Sequence, residues 1–188
     1  QMPDQYKEMH YNLCRIDFDS KTGTFGNQVD TVYCAEKDSM SISFPRISPD
    51  GKHMVMVRQP YGHLSIWHKD ADLCILHLDT GEVELMDAAN SNDAESYHSW
   101  SSNSRWMVFS TRRDDGLYAK PYFTYIDENG KAHKPFLLPQ KNPQKYYADL
   151  MLCYNIPELA KTPVELDQRS LGDKLMTDQD INVKYRKE

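Results

Sequence analysis

The feature that most constrains the fold of this chain is an internal repeat of about fifty residues. Residues 44–57 read FPRISPDGKHMVMV and residues 99–110 read SWSSNSRWMVFS, and the two segments align at a spacing of 53 residues, with Ile47 opposite Trp100. Self-similarity at such a period indicates an array of small structural units, because each unit buries its apolar face against the next one.

A second element recurs out of phase with the first. Residues 13–19, 73–79 and 121–127 read LCRIDFD, LCILHLD and PYFTYID, and each segment ends in Asp and runs into a turn that contains glycine. The two elements together give a unit of four short strands, and four antiparallel strands at this period are typical of a β-propeller blade. We therefore predict an all-β fold, a β-propeller fragment made of four-stranded antiparallel blades.

The turn in the first element supports a tight reversal of the chain. Pro49 presets φ, Asp50 can hydrogen-bond its own backbone, and Gly51 tolerates positive φ. In the second copy Asn103 and Ser104 take the places of Asp50 and Gly51. Ser104 is therefore expected to adopt a left-handed conformation at a cost of roughly 1 kcal/mol.

These motifs carry a resemblance to a known repeat. The segment ISPDGK at residues 47–52, followed by a strand that ends in DTG at residues 79–81, resembles the TolB-like propeller repeat, a relative of the WD-type repeat. Residues 90–140, which contain ESYHSWSSNSRWMVFSTRRDDGLY and KPFLLPQ, are similar to TolB-like envelope proteins of Bacteroides-type bacteria. The resemblance covers roughly residues 10–160, and it implies a periplasmic protein that contacts other envelope proteins.

The order of the elements predicts how the chain is divided. We expect propeller blades over residues 1–141, with a partial blade at 10–36 and full blades at 41–89 and 95–139, and a C-terminal region at 142–188. In that region a short helix is predicted over residues 143–154, capping the last blade, and an extended arm follows. Since TolB-like propellers usually have six blades, the missing blades are expected from an upstream part of the same protein or from another chain.

Charge and apolar runs limit the partners. The formal net charge is −6 and the basic residues are dispersed, which argues against nucleic acid as a partner. The longest apolar runs are far shorter than a membrane span requires, so no span is predicted in this segment. Without a visible export signal, the expected periplasmic or envelope location depends on the resemblance alone.

The four cysteines show no CxxC spacing, so structural zinc and thioredoxin-like chemistry are not indicated. Cys14 and Cys74 hold equivalent places in the repeat, which favours packing between blades; Cys153 lies within the predicted helix. A disulfide between Cys14 and Cys34 remains the alternative in an oxidising compartment.

Candidate binding residues come just before and after the strands of the second full blade. Glu95, Tyr97 and His98, with Ser96 between them, lie where the innermost strand of a propeller blade faces the central channel, so they could bind a polar group or relay a proton. The favoured interpretation is a polar loop in which His98 hydrogen-bonds within its blade.

Arg112 and Arg113 directly follow the strand WMVFST. Because successive side chains alternate in direction at a strand end, one arginine could reach a neighbouring blade while the other faces solvent or a partner's carboxylate. A structural salt bridge is the favoured interpretation of this pair.

Metal and sugar sites are weaker hypotheses. His68, Asp70 and Asp72, with His63 nearby, could share a face of an extended segment, but a solvated loop explains them as well, and residues 127–131 lack the EF-hand pattern. No metal and no cofactor are predicted. Five aromatic residues could stack on sugar rings, although core packing is favoured: Tyr61, Trp67, Tyr97, Trp100 and Trp106.

No catalytic motif points to an enzyme. The chain has no GxSxG elbow, phosphate-binding glycine loop, HExxH helix or dinucleotide fingerprint. We therefore expect a non-enzymatic protein-interaction or scaffold propeller of the bacterial cell envelope that acts through its loops and central channel face. The alternative is the propeller domain of a peptidase or glycan-active hydrolase whose catalytic part lies outside this segment.

Overall fold

The computed structural model describes residues 5–163 and 165–177. Its strands form one hairpin and two four-stranded sheets. The elements are β1 (Leu13–Asp19), β2 (Thr24–Tyr33), β3 (Ser41–Ile47), β4 (His53–Gln59), β5 (Asp72–His77), β6 (Val83–Leu85), β7 (Glu95–Trp100), β8 (Trp106–Thr111), β9 (Lys120–Tyr125), β10 (Phe136–Leu137), α1 (Pro143–Asp149) and α2 (Gln168–Thr177). Short 3₁₀ turns lie at Tyr6–Glu8, Ala35–Asp38 and Ser65–Trp67.

Each four-stranded sheet is an antiparallel meander. The orders are β3-β4-β5-β6 in the first blade and β7-β8-β9-β10 in the second, so every strand pairs with its neighbours in the chain. This architecture confirms the predicted fold of four-stranded antiparallel blades. The two blades fall inside residues 41–89 and 95–139, and the hairpin β1–β2 precedes them.

Strand β4 shows why the sequence of the repeat is so apolar. Val55 and Val57 point into the core between the first and second blades, whereas Met54 and Met56 point into the core on the other side of the sheet. A strand that is covered on both faces needs apolar residues at consecutive positions, which explains the run HMVMV. The blades are thus held together by apolar packing between the faces of their sheets.

The second copy of the turn behaves as predicted. Gly51 has φ 72° and Ser104 has φ 59°, so the serine adopts the left-handed conformation expected of it. The structure also supplies a reason for the serine, because its Oγ accepts a hydrogen bond from the backbone N–H of Asp50 at 2.9 Å. Ser104 therefore joins the turns of the two blades.

Both innermost strands contain an irregularity that the sequence did not reveal. Phe44 in β3 and Tyr97 in β7 each have φ 51°, and the strand register shifts at both places. Left-handed backbone is costly for large side chains. The two rings meet edge to face with their centres 5.1 Å apart, so packing between the innermost strands accompanies the two bulges.

The C-terminal helix is shorter than expected. Helix α1 begins after Asn142, whose Oδ1 accepts a hydrogen bond from Lys145 N at 3.1 Å, and it ends at Asp149 instead of continuing to residue 154. The chain leaves the helix and Tyr154 N donates to Ala119 O of the second blade at 2.8 Å. Helix α2 lies within the predicted extended arm, whose residues 178–188 are outside the described part of the chain. No helix in the described residues is long and apolar enough to cross a membrane.

The turn between β9 and β10 docks on two histidines of the first blade. Gly130 has φ 82°, and a Cβ there would lie 3.0 Å from Cε1 of His53 and 3.0 Å from Cε1 of His77. We expect Gly130→Ala to lower the free energy of unfolding by more than the roughly 1–2 kcal/mol that a left-handed backbone alone costs. Chemical denaturation of the variant measures this loss.

Gly81→Ala is the matched control for that substitution. Gly81 has φ 76°, but a Cβ there would meet no atom within 4 Å. It should therefore show only the backbone cost. Equal losses for the two variants would contradict the docking of the turn on His53 and His77.

Candidate functional site

Glu95 opens β7 and lies fully buried. Its carboxylate accepts hydrogen bonds from Ser91 N at 3.1 Å, Thr111 Oγ1 at 2.9 Å and Arg113 Nη2 at 3.0 Å, and also from the Ser91 hydroxyl. Burial raises the pKa of Glu95, although these partners oppose the shift. The side chain is enclosed within the protein and has no free face toward a channel.

Arg113 completes this buried network. Besides Glu95, its guanidinium bonds to Ala89 O, and it lies 4.7 Å from the centre of the Tyr122 ring and 5.4 Å from that of Phe109. The cation is thus paired with a carboxylate and packed on aromatic faces, which compensates its removal from water. Sequence reasoning favoured a structural salt bridge for the arginine pair, and Arg113 has this geometry.

Arg112 makes a second pair at the same strand end. Its Nε lies 3.3 Å from Asp93 Oδ1, without the geometry of a hydrogen bond, and its guanidinium carbon is 5.9 Å from the centre of the Trp67 ring. Trp67 belongs to the first blade, so Arg112 reaches the neighbouring blade. Neither arginine is turned freely toward solvent.

His98 is buried and bonds across the blades. Its Nε2 lies 2.8 Å from Val55 O in the first blade, whereas Nδ1 has no hydrogen-bond partner among the described residues. The sequence interpretation placed this bond within one blade, but the structure places it between two. Burial lowers the pKa of His98 to about 4, so the ring is neutral near pH 7 and Nε2 is the nitrogen that donates.

The predicted cluster is divided into two separate sets of contacts. Glu95 bonds to residues 91, 111 and 113, whereas His98 bonds to Val55, and no hydrogen bond or ion pair joins the two in the part of the chain that is described. Tyr97 is half-buried against Phe44. The contacts of Tyr97 and His98 hold β7 against the first blade.

The residues considered as metal or calcium ligands make other contacts in the structure. Among the described residues, no group of three or more His, Cys, Asp or Glu side chains could hold a metal ion. The His68 ring packs edge to face on Tyr61 at 4.5 Å. Asp127 Oδ1 accepts hydrogen bonds from Asn129 N and Lys131 N at 2.9 and 3.0 Å, and these bonds close a hairpin turn.

The aromatic residues divide between core and surface. Trp100 is buried and its Nε1 donates to Arg46 O at 2.9 Å, so it is not available for stacking on a sugar. Trp67 and Trp106 are exposed. Trp106 lines an apolar groove of about 450 Å³ on the second blade, together with Phe123, Phe136 and Leu138.

The cysteines also differ in burial. All four are free thiols, and Cys74 is buried with its pKa raised to about 12, chiefly by burial. Cys14 holds the equivalent place in the repeat but is exposed. Cys74 lies in the core between the hairpin and the first blade, whereas no such core covers Cys14 among the described residues, and this difference identifies the surface that sequence reasoning missed.

That surface is one side of the hairpin β1–β2, which we call the hairpin face: Cys14, Ile16, Phe18, Phe25 and Val29. Ile16 pairs with Val29 across the strands and Phe18 with Phe25, and the exposed fractions reach 55% at Phe18 and 66% at Phe25. The opposite side is polar, with Arg15 Nη2 3.0 Å from Asp30 Oδ2. The alternation of LCRIDFD was a signal for this face, because alternate residues of a strand share one side.

No protein-family model and no curated protein matches the chain. Among solved structures, it is similar to the β-propeller domain of the Trilobed protease from Pyrococcus furiosus, with 17% identity and a TM-score of 0.38. The match covers 67% of this chain and 34% of that one, so the chain spans about a third of that structure. A likeness of this size identifies no activity, and the blade architecture rests on the two sheets themselves.

Proposed function

We propose that this chain is part of a non-enzymatic interaction or scaffold propeller of the bacterial cell envelope, located in the periplasm. The observation that carries the proposal is the hairpin face, an exposed apolar surface on a propeller-type sheet. Contiguous apolar surface of this kind marks contacts with other polypeptides. Loops and the channel side of the blades offer further contact surface.

The repeat relates the hairpin face to an equivalent surface of the first blade. Cys74 and Leu76 of the first blade, which correspond to Cys14 and Ile16, are 0% and 1% exposed because the core on that side covers them. Leu13 and Tyr33 at the base of the hairpin already pack on the first blade. The hairpin therefore corresponds to the two outer strands of a blade, and its apolar side matches a surface that elsewhere in the chain is buried between blades.

The polar candidates of the second blade are engaged in contacts within the protein. His98 bonds to Val55 O and Arg113 to Ala89 O of the first blade, and Glu95 is enclosed by Ser91, Thr111 and Arg113. We therefore assign the interaction to the apolar hairpin face and not to these residues. The sequence contains no GxSxG elbow, HExxH helix or phosphate-binding glycine loop. The envelope location is supported by the resemblance to TolB-like repeats, carried by ISPDGK and the strand ending in DTG.

Site-specific photo-crosslinking in bacterial cells tests this proposal. A photoreactive residue at Phe18, on the hairpin face, should cross-link to a separate envelope protein, whereas the same residue at Arg15, on the polar side, should cross-link much less. Cross-links that form only within the same polypeptide, or equal yields at both positions, would contradict the proposal. So would turnover of peptides or glycans by the purified protein, which would favour the hydrolase alternative, or recovery of the protein from the cytoplasmic fraction.

A further inference from the structure

One hydrogen bond recurs three times along the chain. In each case a backbone N–H donates to the carbonyl oxygen of the residue two positions before an LCILHLD-type element. These elements begin at residues 13, 73 and 121. The bonds are Ile42 N to Tyr11 O at 3.0 Å, Glu95 N to Ala71 O at 2.9 Å, and Tyr154 N to Ala119 O at 2.8 Å. The first two donors lie at the start of innermost strands, β3 and β7. The third donor, Tyr154, lies outside any strand.

The sequence around Tyr154 matches an innermost strand. When Tyr154 is aligned with Ile42, Phe44-Pro45-Arg46-Ile47 falls opposite Ile156-Pro157-Glu158-Leu159. Both segments begin two residues after the donor of the hydrogen bond. Each consists of an aromatic or aliphatic residue, a proline, a charged residue and an aliphatic residue. Geometry and sequence therefore agree on the same alignment, and we call residues 154–159 the third inner segment.

The third inner segment lies against the second blade as β7 lies against the first. Ser110 Oγ donates to Tyr154 O at 2.9 Å and to Asn155 O at 3.1 Å, and Leu159 lines the groove beside Trp106. Ser110 and Trp106 point to the side of β8 opposite Phe109, which packs toward the first blade. The segment thus continues the stacking of blades by one further step.

The chain beyond the third inner segment takes a different course from that in the two complete blades. After β3 and β7, a turn leads into β4 and β8, which pair along the innermost strand. After the third inner segment, residues 160–163 lead toward α2, and no strand pairs with the segment within the described residues. Ile156 is 57% exposed. Residues 154–159 are not in a strand and Ile156 lies at a bend. An unpaired backbone segment stacked on a sheet in this way can still serve as a template for strand addition.

We propose that the third inner segment is the innermost strand of a further blade, and that its open edge binds an antiparallel strand of a partner polypeptide. The partner strand would be apolar and uncharged at successive central positions, as in HMVMV of β4 and MVF of β8, because a second strand is covered on both faces. The pairing in the first blade gives the register: Glu158 should face the position of Val55 and Leu159 that of Met54.

A second copy of this chain does not fit the edge. Its β4 and β8 are already paired on both sides. The free edge of β1 corresponds to the third strand of a blade, since LCRIDFD aligns with LCILHLD, and a third strand does not pair with the innermost one. The proposal rests on the interaction function proposed above and specifies one of its contact surfaces.

A fluorescent peptide with the sequence of residues 51–60, GKHMVMVRQP, tests the edge. Its anisotropy with the full chain should show saturable 1:1 binding, and a scrambled peptide should not bind. The double variant Glu158→Pro with Leu159→Pro should weaken binding at least tenfold, because one of the two removed N–H groups faces the edge. The matched control is Glu165→Pro with Leu166→Pro, which lies outside the segment. Thermal unfolding checks that both variants stay folded.

Absence of saturable binding to the wild-type chain, or equal binding to both double variants, would overturn the proposal. Concentration-dependent dimerisation that the Glu158→Pro, Leu159→Pro variant abolishes would also overturn it, because the occupant would then be a second copy. Cross-linking from Phe18 is independent of this edge. If the peptide does not bind but Phe18 still cross-links as expected, the third inner segment is rejected as a binding edge and the proposed scaffold function is unaffected.

Discussion

Replacing Arg113 with Ala is expected to lower the free energy of unfolding by about 3–5 kcal/mol, because the substitution leaves the Glu95 carboxylate buried without its cation. The loss includes the bond to Ala89 O and the packing of the guanidinium on the Tyr122 ring. Urea denaturation followed by tryptophan fluorescence measures the change. Glu95→Gln should lose less than Arg113→Ala, since an amide oxygen in the place of Oε1 can still accept hydrogen bonds from the hydroxyls of Ser91 and Thr111.

Arg15→Ala provides the matched control for the buried pair. Arg15 Nη2 lies 3.0 Å from Asp30 Oδ2, the same distance that separates Arg113 Nη2 from Glu95 Oε1, but the Arg15 pair is on the surface. Water and salt screen an exposed pair, so this variant should change stability little. Similar losses for the two arginine variants would show that burial of Glu95 does not govern the stability of this region.

Lowering the pH from 7 to 4 is expected to destabilise the protein through His98, by up to about 3 kcal/mol. The pKa of His98 is lowered to about 4 in the folded state from its usual value near 6.5. Between these values the unfolded chain binds more protons than the folded one, so stability falls as the pH falls. Denaturation curves at several pH values measure the slope.

His98→Gln isolates this contribution. The glutamine amide can donate to Val55 O but does not titrate, so the difference between wild type and variant should grow smaller as the pH approaches 4. Burial also lowers the pKa of His53 and His68. The His98→Gln variant retains both residues, so their contribution to the slope is the same as in wild type. A His98→Gln slope equal to that of wild type would contradict the burial of a neutral imidazole.

The repeat made the blades predictable from the sequence. Each turn of the SPDG type and each closing Asp marked a boundary, and the strands formed where these signals placed them. The positive φ of Ser104 followed from its alignment with Gly51. The bulges at Phe44 and Tyr97 were not predicted, because neither residue type favours positive φ and the two rings that meet there are far apart in the chain.

The structural role of the candidate residues was predicted from the sequence in part. A salt bridge was the favoured interpretation of the arginine pair and an internal hydrogen bond that of His98, and the structure contains both kinds of contact. Which residues would be the partners could not be predicted. The partners Val55, Ala89 and Tyr122 are fixed by tertiary packing, which local sequence does not encode. Cys14 was expected in a core because it holds the place of Cys74 in the repeat. The two differ because the core that buries Cys74 has no counterpart over Cys14 in the described part of the chain.

Amide hydrogen exchange of the full chain tests most directly whether the hairpin β1–β2 is the outer half of a blade with an uncovered side. Strands β1 and β5 hold the same place in the repeat, so each residue of LCRIDFD has an internal control in LCILHLD. We predict slow exchange along β5, fast exchange in the middle of β1, and slowing in β1 when a partner that cross-links to Phe18 is added. Protection in the isolated chain as strong in β1 as in β5, or no change in β1 on partner binding, would contradict this account.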